Sequence, residues 1–411
     1  MRRFVLRGFL AVLIVGSMMS PLGAAQTPSF KVLHSFASGS DGAYPTTPLV
    51  FDRLGNLYGV TSEGDGTGCS SNGCGSAFEL LQKNGRWGYR ILLGFSSTNN
   101  FFPNPIGSLV TDGNGSIYGT DSSTGDPFCN CGAVFQLTNT NGVWMQNILH
   151  NFLGGSDGQY PSSGLASDSV GNLYGATERG GTYDRGTIFQ LAPNPDGTWS
   201  FSVIYSFGSG FDGSFPLGSL SIDKSANIYG TTGSGGFYSY GTVFKLAPSN
   251  GSWTESTLYN LTLEYGYPQQ AYGVVAGADG ALYGNATSGG VYQLGTVYKL
   301  TASTPYWKRT VLHTFSGNNE GAVPYGTLAI DRFGNLYGTT NLGGTYGYGT
   351  AYRLVSGQHG QWKEQTLHNF RSTDGSGLSV GLVLDEFGNL FGVTSTGGTY
   401  GRGVAFEIQQ Q

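Results

Sequence analysis

The sequence is poor in charge, in sulfur and in long apolar runs. Charged residues make up 11% of its 411 residues, and the formal net charge is −5. No Lys/Arg run follows the first few residues, so the basic stripe that a nucleic-acid partner requires is missing. After residue 25 no segment approaches the length of about 18 apolar residues that a membrane helix needs, so the mature chain is expected to have no membrane span. No stretch carries helical periodicity over about 11 residues. The pattern His-Glu-x-x-His is absent, and no Gly-rich loop leads into a helix with a phosphate-binding Lys. No catalytic residues, metal or cofactor are expected on these grounds.

What the chain has in quantity is Gly (70 residues) and Tyr and Phe (25 each). That mixture suits many short strands joined by tight turns. The first 25 residues read as an export signal. Arg2, Arg3 and Arg7 precede the apolar run Gly8 to Met19, and Pro21 to Ala25 offers small residues for cleavage. The expectation is a signal peptide over 1–25 and one domain over 26–411, secreted or periplasmic and monomeric.

Self-similarity dominates the mature part. Gly-Asn-Leu-Tyr-Gly or a close variant stands at 55–59, 115–119, 171–175, 226–230, 280–284, 334–338 and 388–392. The motif aromatics are Tyr58, Tyr118, Tyr174, Tyr229, Tyr283, Tyr337 and Phe391, at spacings of 60, 56, 55, 54, 54 and 54 residues. Each unit holds four strand-like runs bounded by Gly, Pro, Asn and Asp, the size of one propeller blade. Six units carry a Trp before the fourth run: Trp87, Trp144, Trp199, Trp253, Trp307 and Trp362. The seventh stops after its third run, at Val404–Ile408. Its missing strand lies at the other end of the chain, where Phe30–Phe36 matches Val311–Phe315 and Thr366–Phe370. The expected fold is therefore all-β: a seven-bladed β-propeller of four-stranded blades, closed by the N-terminal strand at about 30–36. A linear array would leave two raw sheet edges, which proteins avoid.

Several residues that resemble chemistry fall into columns of the repeat. An Asp precedes each motif turn (Asp52, Asp112, Asp168, Asp223, Asp331, Asp385), with Gly277 in its place in unit five. A carboxylate accepting backbone N–H groups explains a tight turn. The Gly after each motif aromatic is expected to let a neighbouring ring approach. His34, His150, His313 and His368 share one fourth-strand column, while His359 lies in a turn. Gly154-Gly155-Ser156-Asp157-Gly158 has the spacing of a nucleophile elbow but no following helix. Off the pattern stand Glu63, Asp65, Asp121, Asp126, Glu178, Asp184 and Glu264, two of which would suffice for acid–base chemistry if they converged.

Two loops depart from the repeat. The segments between the second and third strands of units one and two are longer than the rest and carry Cys69 with Cys74 and Cys129 with Cys131. In an exported chain these are expected to form disulfides within each loop; pairing across the loops and a Cys₄ zinc site are the alternatives. The other five loops share Gly-Gly-x-Tyr-x-x-Gly, giving Tyr183, Tyr238, Tyr292, Tyr346 and Tyr400. The blade-to-blade loops add Tyr44, Tyr160, Phe215, Tyr267 and Tyr325. On one face of a propeller such rings either pack loop on loop or bind a glycan or protein ligand.

The repeat LxxDxxGNLYGTTxxGGxxxxGTVFxL, followed by a Trp strand and VLHSFxxGxDGxxP, resembles the GloVer (Gloeo_Verruco) tandem repeat of exported bacterial proteins. Leu328 to Leu354 is a close copy, including Asp331, Gly334 to Thr340, Gly349 and Thr350. The resemblance implies export and a propeller-like array and carries no activity with it. The expectation is an exported, non-enzymatic binding propeller for an extracellular or periplasmic glycan or protein. The alternative is a propeller hydrolase or lyase acting on polysaccharide.

Overall fold

The repeat turns order each unit. In unit three, Asp168 accepts hydrogen bonds from the backbone N–H of Val170 and Asn172, the Asn172 side chain and the Tyr174 hydroxyl, at 2.8–3.1 Å. The same set recurs around Asp52, Asp223 and Asp331. One carboxylate thus satisfies a tight turn and pins the motif Tyr to it. Unit five, with Gly277 in the Asp column, keeps the device by another route. Asp279, two residues later, accepts from Tyr283 at 2.9 Å and pairs with Lys299 at 2.7 Å.

A computed structural model describes residues 28–65, 69, 73–96, 104–124, 129–208, 211–264, 267–303, 307–357 and 360–410. The expected signal peptide, Asp126 and His359 lie outside the described residues. Within them the fold is an all-β propeller whose only helical turns are Gly39–Asp41 and Gly155–Asp157. Among the described residues no helix is long and apolar enough to cross a membrane.

The last unit pairs Val404–Gln409 with both Leu390–Thr394 and the N-terminal strand Ser29–Ser35. The register runs from Ser29↔Gln409 to Ser35↔Val404, as the matching of the two chain ends predicts. The expectation of seven separate blades is corrected by the sheet connectivity. Five sheets of four or five strands stand separately, and an eight-stranded sheet contains units four and five together. Its two halves join where Ser219 of the strand Ser214–Ile222 pairs in parallel with Gly273 of the strand Ala271–Ala276. Glycine makes this approach feasible: a Cβ on Gly218 (φ +75°) would lie 2.5 Å from the Tyr272 carbonyl oxygen.

The core lies between units rather than within them. The motif aromatic of one unit meets the Trp of the next: Tyr58 and Trp144, Tyr118 and Trp199, Tyr174 and Trp253, Tyr283 and Trp362 have ring centroids 5.5–6.4 Å apart. Tyr229 and Trp307 share one apolar cluster. Phe391 of the last unit meets Trp87 of the first at 5.4 Å. Phe30, in the closing strand, packs in the cluster of Tyr337. The motif Gly serves the third strand, since a Cβ on Gly230 would lie 2.6 Å from the Phe244 ring.

Candidate functional site

Two concavities occupy different places in this frame. An axial channel of about 280 Å³ takes residues from every unit, among them Thr46, Gly107, Ser162, Gly218, Tyr272, Thr327 and Ser379. Ser108 and Ser219 hydrogen-bond to each other at 2.9 Å, and Tyr272 lies on Tyr325 at 4.3 Å between centroids. Its described lining holds hydroxyls, backbone and apolar groups, with no carboxylate or imidazole.

The second concavity is a cleft of about 810 Å³ beside unit four, lined in part by Phe211, Asp212, Phe237, Tyr238, Glu255 and Trp307. One of its wall residues, Glu255, stands in a column of the fourth strand that varies from unit to unit. That column is opposite a third-strand Leu in units one to six and Ile408 in the last: Tyr89 pairs with Leu80, Gln146 with Leu137, Phe201 with Leu191, Glu255 with Leu246, Arg309 with Leu300, Glu364 with Leu354 and Phe30 with Ile408. Where it is aromatic, it stacks on the fourth-strand His of the preceding unit. His34 lies on Tyr89 and His150 on Phe201, each with centroids 3.6 Å apart and planes 4° apart. In unit four the position holds the smaller, polar Glu255, which lines the cleft.

The His column therefore belongs to the scaffold. His150 meets Asp157 at 3.1 Å, and Asp157 also accepts the Leu153 N–H at 2.8 Å. His34 and Asp41 repeat the arrangement. Desolvation between stacked rings holds both imidazoles below their ordinary value, with the carboxylate opposing it. Asp157 belongs to the Gly-x-Ser-x-Gly segment, which is thus a loop-capping turn. In unit three Tyr205 takes the His place and donates to Asp212 at 2.5 Å, while the Gly208 N–H meets the same carboxylate.

Glu255 is electrostatically unusual. Burial pushes its carboxyl up to about 7, the Thr257 hydroxyl at 3.1 Å opposes this, and nearby Asp212 adds to it. Glu364 of unit six repeats the pattern, also at about 7, with Thr366 and Glu320 as its neighbours.

The expected tyrosines are all exposed: Tyr183, Tyr238, Tyr292, Tyr346 and Tyr400 show 44–61% of their surface. They do not form a uniform ring. Arg371 covers Tyr346, with its guanidinium carbon 4.2 Å from the ring centre. Tyr238 alone is extended by a larger cluster: Phe237 meets it at 5.0 Å and Phe211 meets Phe237 at 5.9 Å. The blade-to-blade aromatics are largely engaged. Arg402 lies over Tyr44 and Arg179 over Phe215. In unit six Val323 takes that column, with φ +57° like Tyr44, Tyr160 and Phe215, and Tyr325 turns to the axis instead. The side chain of Tyr267 lies outside the described residues.

The cysteines pair locally, Cys69 with Cys74 and Cys129 with Cys131. Among the described residues no group of three or more His, Cys, Asp or Glu is placed to hold a metal. Sequence reasoning missed Glu255, Asp212, Phe211 and Phe237. The signal that bears on them is the fourth-strand column, which is aromatic at Phe30, Tyr89 and Phe201 and polar at Gln146, Glu255, Arg309 and Glu364.

A family model described as the Gloeobacter/Verrucomicrobia repeat matches residues 104–272 and 254–411. Among curated proteins none matches the chain. Of solved structures, a putative 6-phosphogluconolactonase from Bacteroides uniformis aligns with TM-score 0.50 and 12% identity, over 79% of this chain and 85% of its own. A putative oxidoreductase (glucose dehydrogenase) from Thermus thermophilus aligns with TM-score 0.46 and 15% identity, over 93% of this chain and 100% of its own. At such identities the first of these bears on the fold alone.

Proposed function

The chain belongs to the Gloeobacter/Verrucomicrobia repeat family, and from that premise we propose that it is an exported seven-bladed propeller that binds saccharide through the cleft of unit four. The seven-bladed reading treats the eight-stranded sheet as two blades bridged by the single Ser219↔Gly273 pair. It is supported by the run of unit-to-unit aromatic contacts from Tyr58 round to Phe391 and Trp87. Export follows the expected signal over 1–25, with 26–411 as one domain, and the two disulfides fit a non-cytoplasmic compartment.

The observation that carries the binding reading is the exposed cluster Phe211, Phe237 and Tyr238 at a polar cleft. Exposed rings are costly unless they serve a surface, and sugars stack on rings while their hydroxyls need polar neighbours. Thr257, Asn260 and Thr262 supply such neighbours. The axial channel, without acid or base in its described lining, is a poorer place for catalysis. Calorimetric titration against a panel of oligosaccharides tests the proposal. A double Phe237→Ala, Tyr238→Ala variant should lose at least tenfold in affinity; unchanged affinity would remove the cluster from consideration.

A second reading rests on Asp212 and Glu255. A carboxyl held near neutrality beside a second carboxylate is the pairing that glycoside cleavage uses. Release of reducing ends or unsaturated products by the wild type, lost in Glu255→Gln, would establish it over simple binding.

A further inference from the structure

A further cavity, of about 550 Å³, lies at the seam between units seven and one, beside the motif turns of both. It shares no described lining residue with the unit-four cleft. We infer that this cavity binds a small phenol, whose hydroxyl takes the place that the motif Tyr hydroxyl holds in the other units. The inference stands without the saccharide reading.

In units one to six the motif Tyr hydroxyl meets a turn carboxylate at 2.9–3.1 Å, with Asp279 serving in unit five. One third-strand residue stands opposite each motif aromatic. In the first three units it also reaches the hydroxyl, Glu79 at 2.9 Å and Gln136 and Gln190 at 3.0 Å. Unit seven has Phe391 as its motif aromatic, which brings no hydroxyl. Asp385 still holds the turn, and Glu407 still stands opposite the ring. Both carboxylates line the cavity. Glu407 is 4% exposed, and one of its oxygens accepts from the Gln409 amide at 3.0 Å. Its other oxygen receives no hydrogen bond among the described residues. A buried acceptor without a donor is costly, and an O–H donated to a carboxylate is among the stronger hydrogen bonds.

The missing partner is a neutral donor rather than a cation. Glu79, in the same column as Glu407, is met by Arg90 at 2.5 Å as well as by Tyr58. Lys31 holds the register position of Arg90 beside Glu407, and Arg53 lines the cavity, so positive charge is already at hand. Lys31 is exposed and makes no ion pair with Glu407 among the described residues. What unit seven lacks relative to unit one is the hydroxyl. The rest of the lining suits an aromatic body. Trp87 is half-buried and meets Phe391 at 5.4 Å, and Leu54 and Phe387 are 85% and 78% exposed. A phenol joins a ring for these side chains to a single O–H donor, and it stays protonated at neutral pH. A saccharide would set most of its hydroxyls against apolar groups.

Calorimetric titration of the full chain with para-ethylphenol and para-ethylanisole tests this, since the anisole keeps the oxygen and loses its proton. The phenol should bind about tenfold more tightly. Phe391→Tyr supplies the hydroxyl from within, as six units already do. It should weaken phenol binding at least tenfold without lowering the melting temperature. Glu407→Met removes the acceptor and should cancel the preference between the two probes. Equal binding of the probes, binding of neither, or a preference that survives both variants overturns the inference. Tighter binding of para-ethylbenzylammonium than of the phenol makes this a cation site and also overturns it. Lys31→Ala should change phenol affinity less than twofold; a tenfold rise would show that Lys31 occupies Glu407, against the assignment. N-Acetyltyrosinamide separates the sources of a phenol: tighter than para-ethylphenol it indicates a protein tyrosine, weaker a free small molecule, and both keep the donor site. Sugar titrations at the unit-four cleft do not enter these ratios, so the two readings fail separately.

Discussion

The seam between units two and three is closed, and the seam between units three and four is open. The backbone register is the same in both, with the fourth-strand residue opposite the third-strand Leu. In the first, His150 stacks on Phe201. In the second, Tyr205 turns to Asp212 and Glu255 stands where the ring would be. The comparison teaches how a repeat protein makes a site. The column holds a ring in three units and a polar side chain in four, so its side chains vary, and with them the surface beside each seam, while the strands keep their register.

The largest effect should come from opening the closed seam. Phe201→Glu removes the stack on His150 and places a carboxylate between buried rings, at a cost of about 2–4 kcal/mol in denaturant unfolding. A loss below about 1 kcal/mol would mean that the stack contributes little. The comparison also assumes that the scaffold is equal on both sides. Asp168→Ala and Asp223→Ala each delete four hydrogen bonds to a motif turn, and each should cost about 2 kcal/mol. Unequal losses would show that the two seams differ by more than one side chain. Closing the open seam is the reverse experiment. Glu255→Phe should raise stability by about 1–2 kcal/mol and abolish sugar binding by calorimetry; binding that persists would place the ligand elsewhere.

The smallest effect is in pH dependence, and its sign differs between the seams. Burial holds His150 below its ordinary 6.5. The unfolded chain therefore takes up this proton first, and the closed seam loses stability as pH falls below 6.5. Glu255 is raised from 4.5 to about 7, with Asp212 the charged group facing it and Thr257 its hydrogen-bond donor. Folded Glu255 keeps a proton that the unfolded chain has released, so its contribution is present below 4.5 and is lost as pH rises to about 7. Melting temperatures across this range for wild type, His150→Gln and Glu255→Gln should separate the two slopes, each roughly 1–2 °C in size. A Glu255→Gln profile identical to wild type would show that this carboxyl is not buried in solution.

Much of the fold was legible because the repeat states it seven times. The turn Asp, the motif Gly, the N-terminal strand beside Val404–Gln409 and the local cysteine pairs all follow from local patterns. What escaped depends on differences between copies. The link Ser219↔Gly273 arises from backbone proximity at the axis, which no strand pattern encodes. Asp279 was missed because it lies two residues out of its column, and Tyr325 was misplaced because Val323 sits before the proline. The cleft was hidden because Glu255 reads as an ordinary surface residue until the register places it opposite Leu246. The tyrosines of these loops are exposed, and sequence symmetry could not indicate that Phe211 and Phe237 concentrate the rings at unit four.

The pairing of Ser29 with Gln409 has a consequence for the order of events in biosynthesis. The two residues are 380 positions apart and meet side by side. During synthesis the opening strand has no partner until Val404–Gln409 has been made. Ring closure therefore bears the loop entropy of all the residues between the two strands. A propeller latched between early and middle strands would close a shorter loop and settle its first blade sooner.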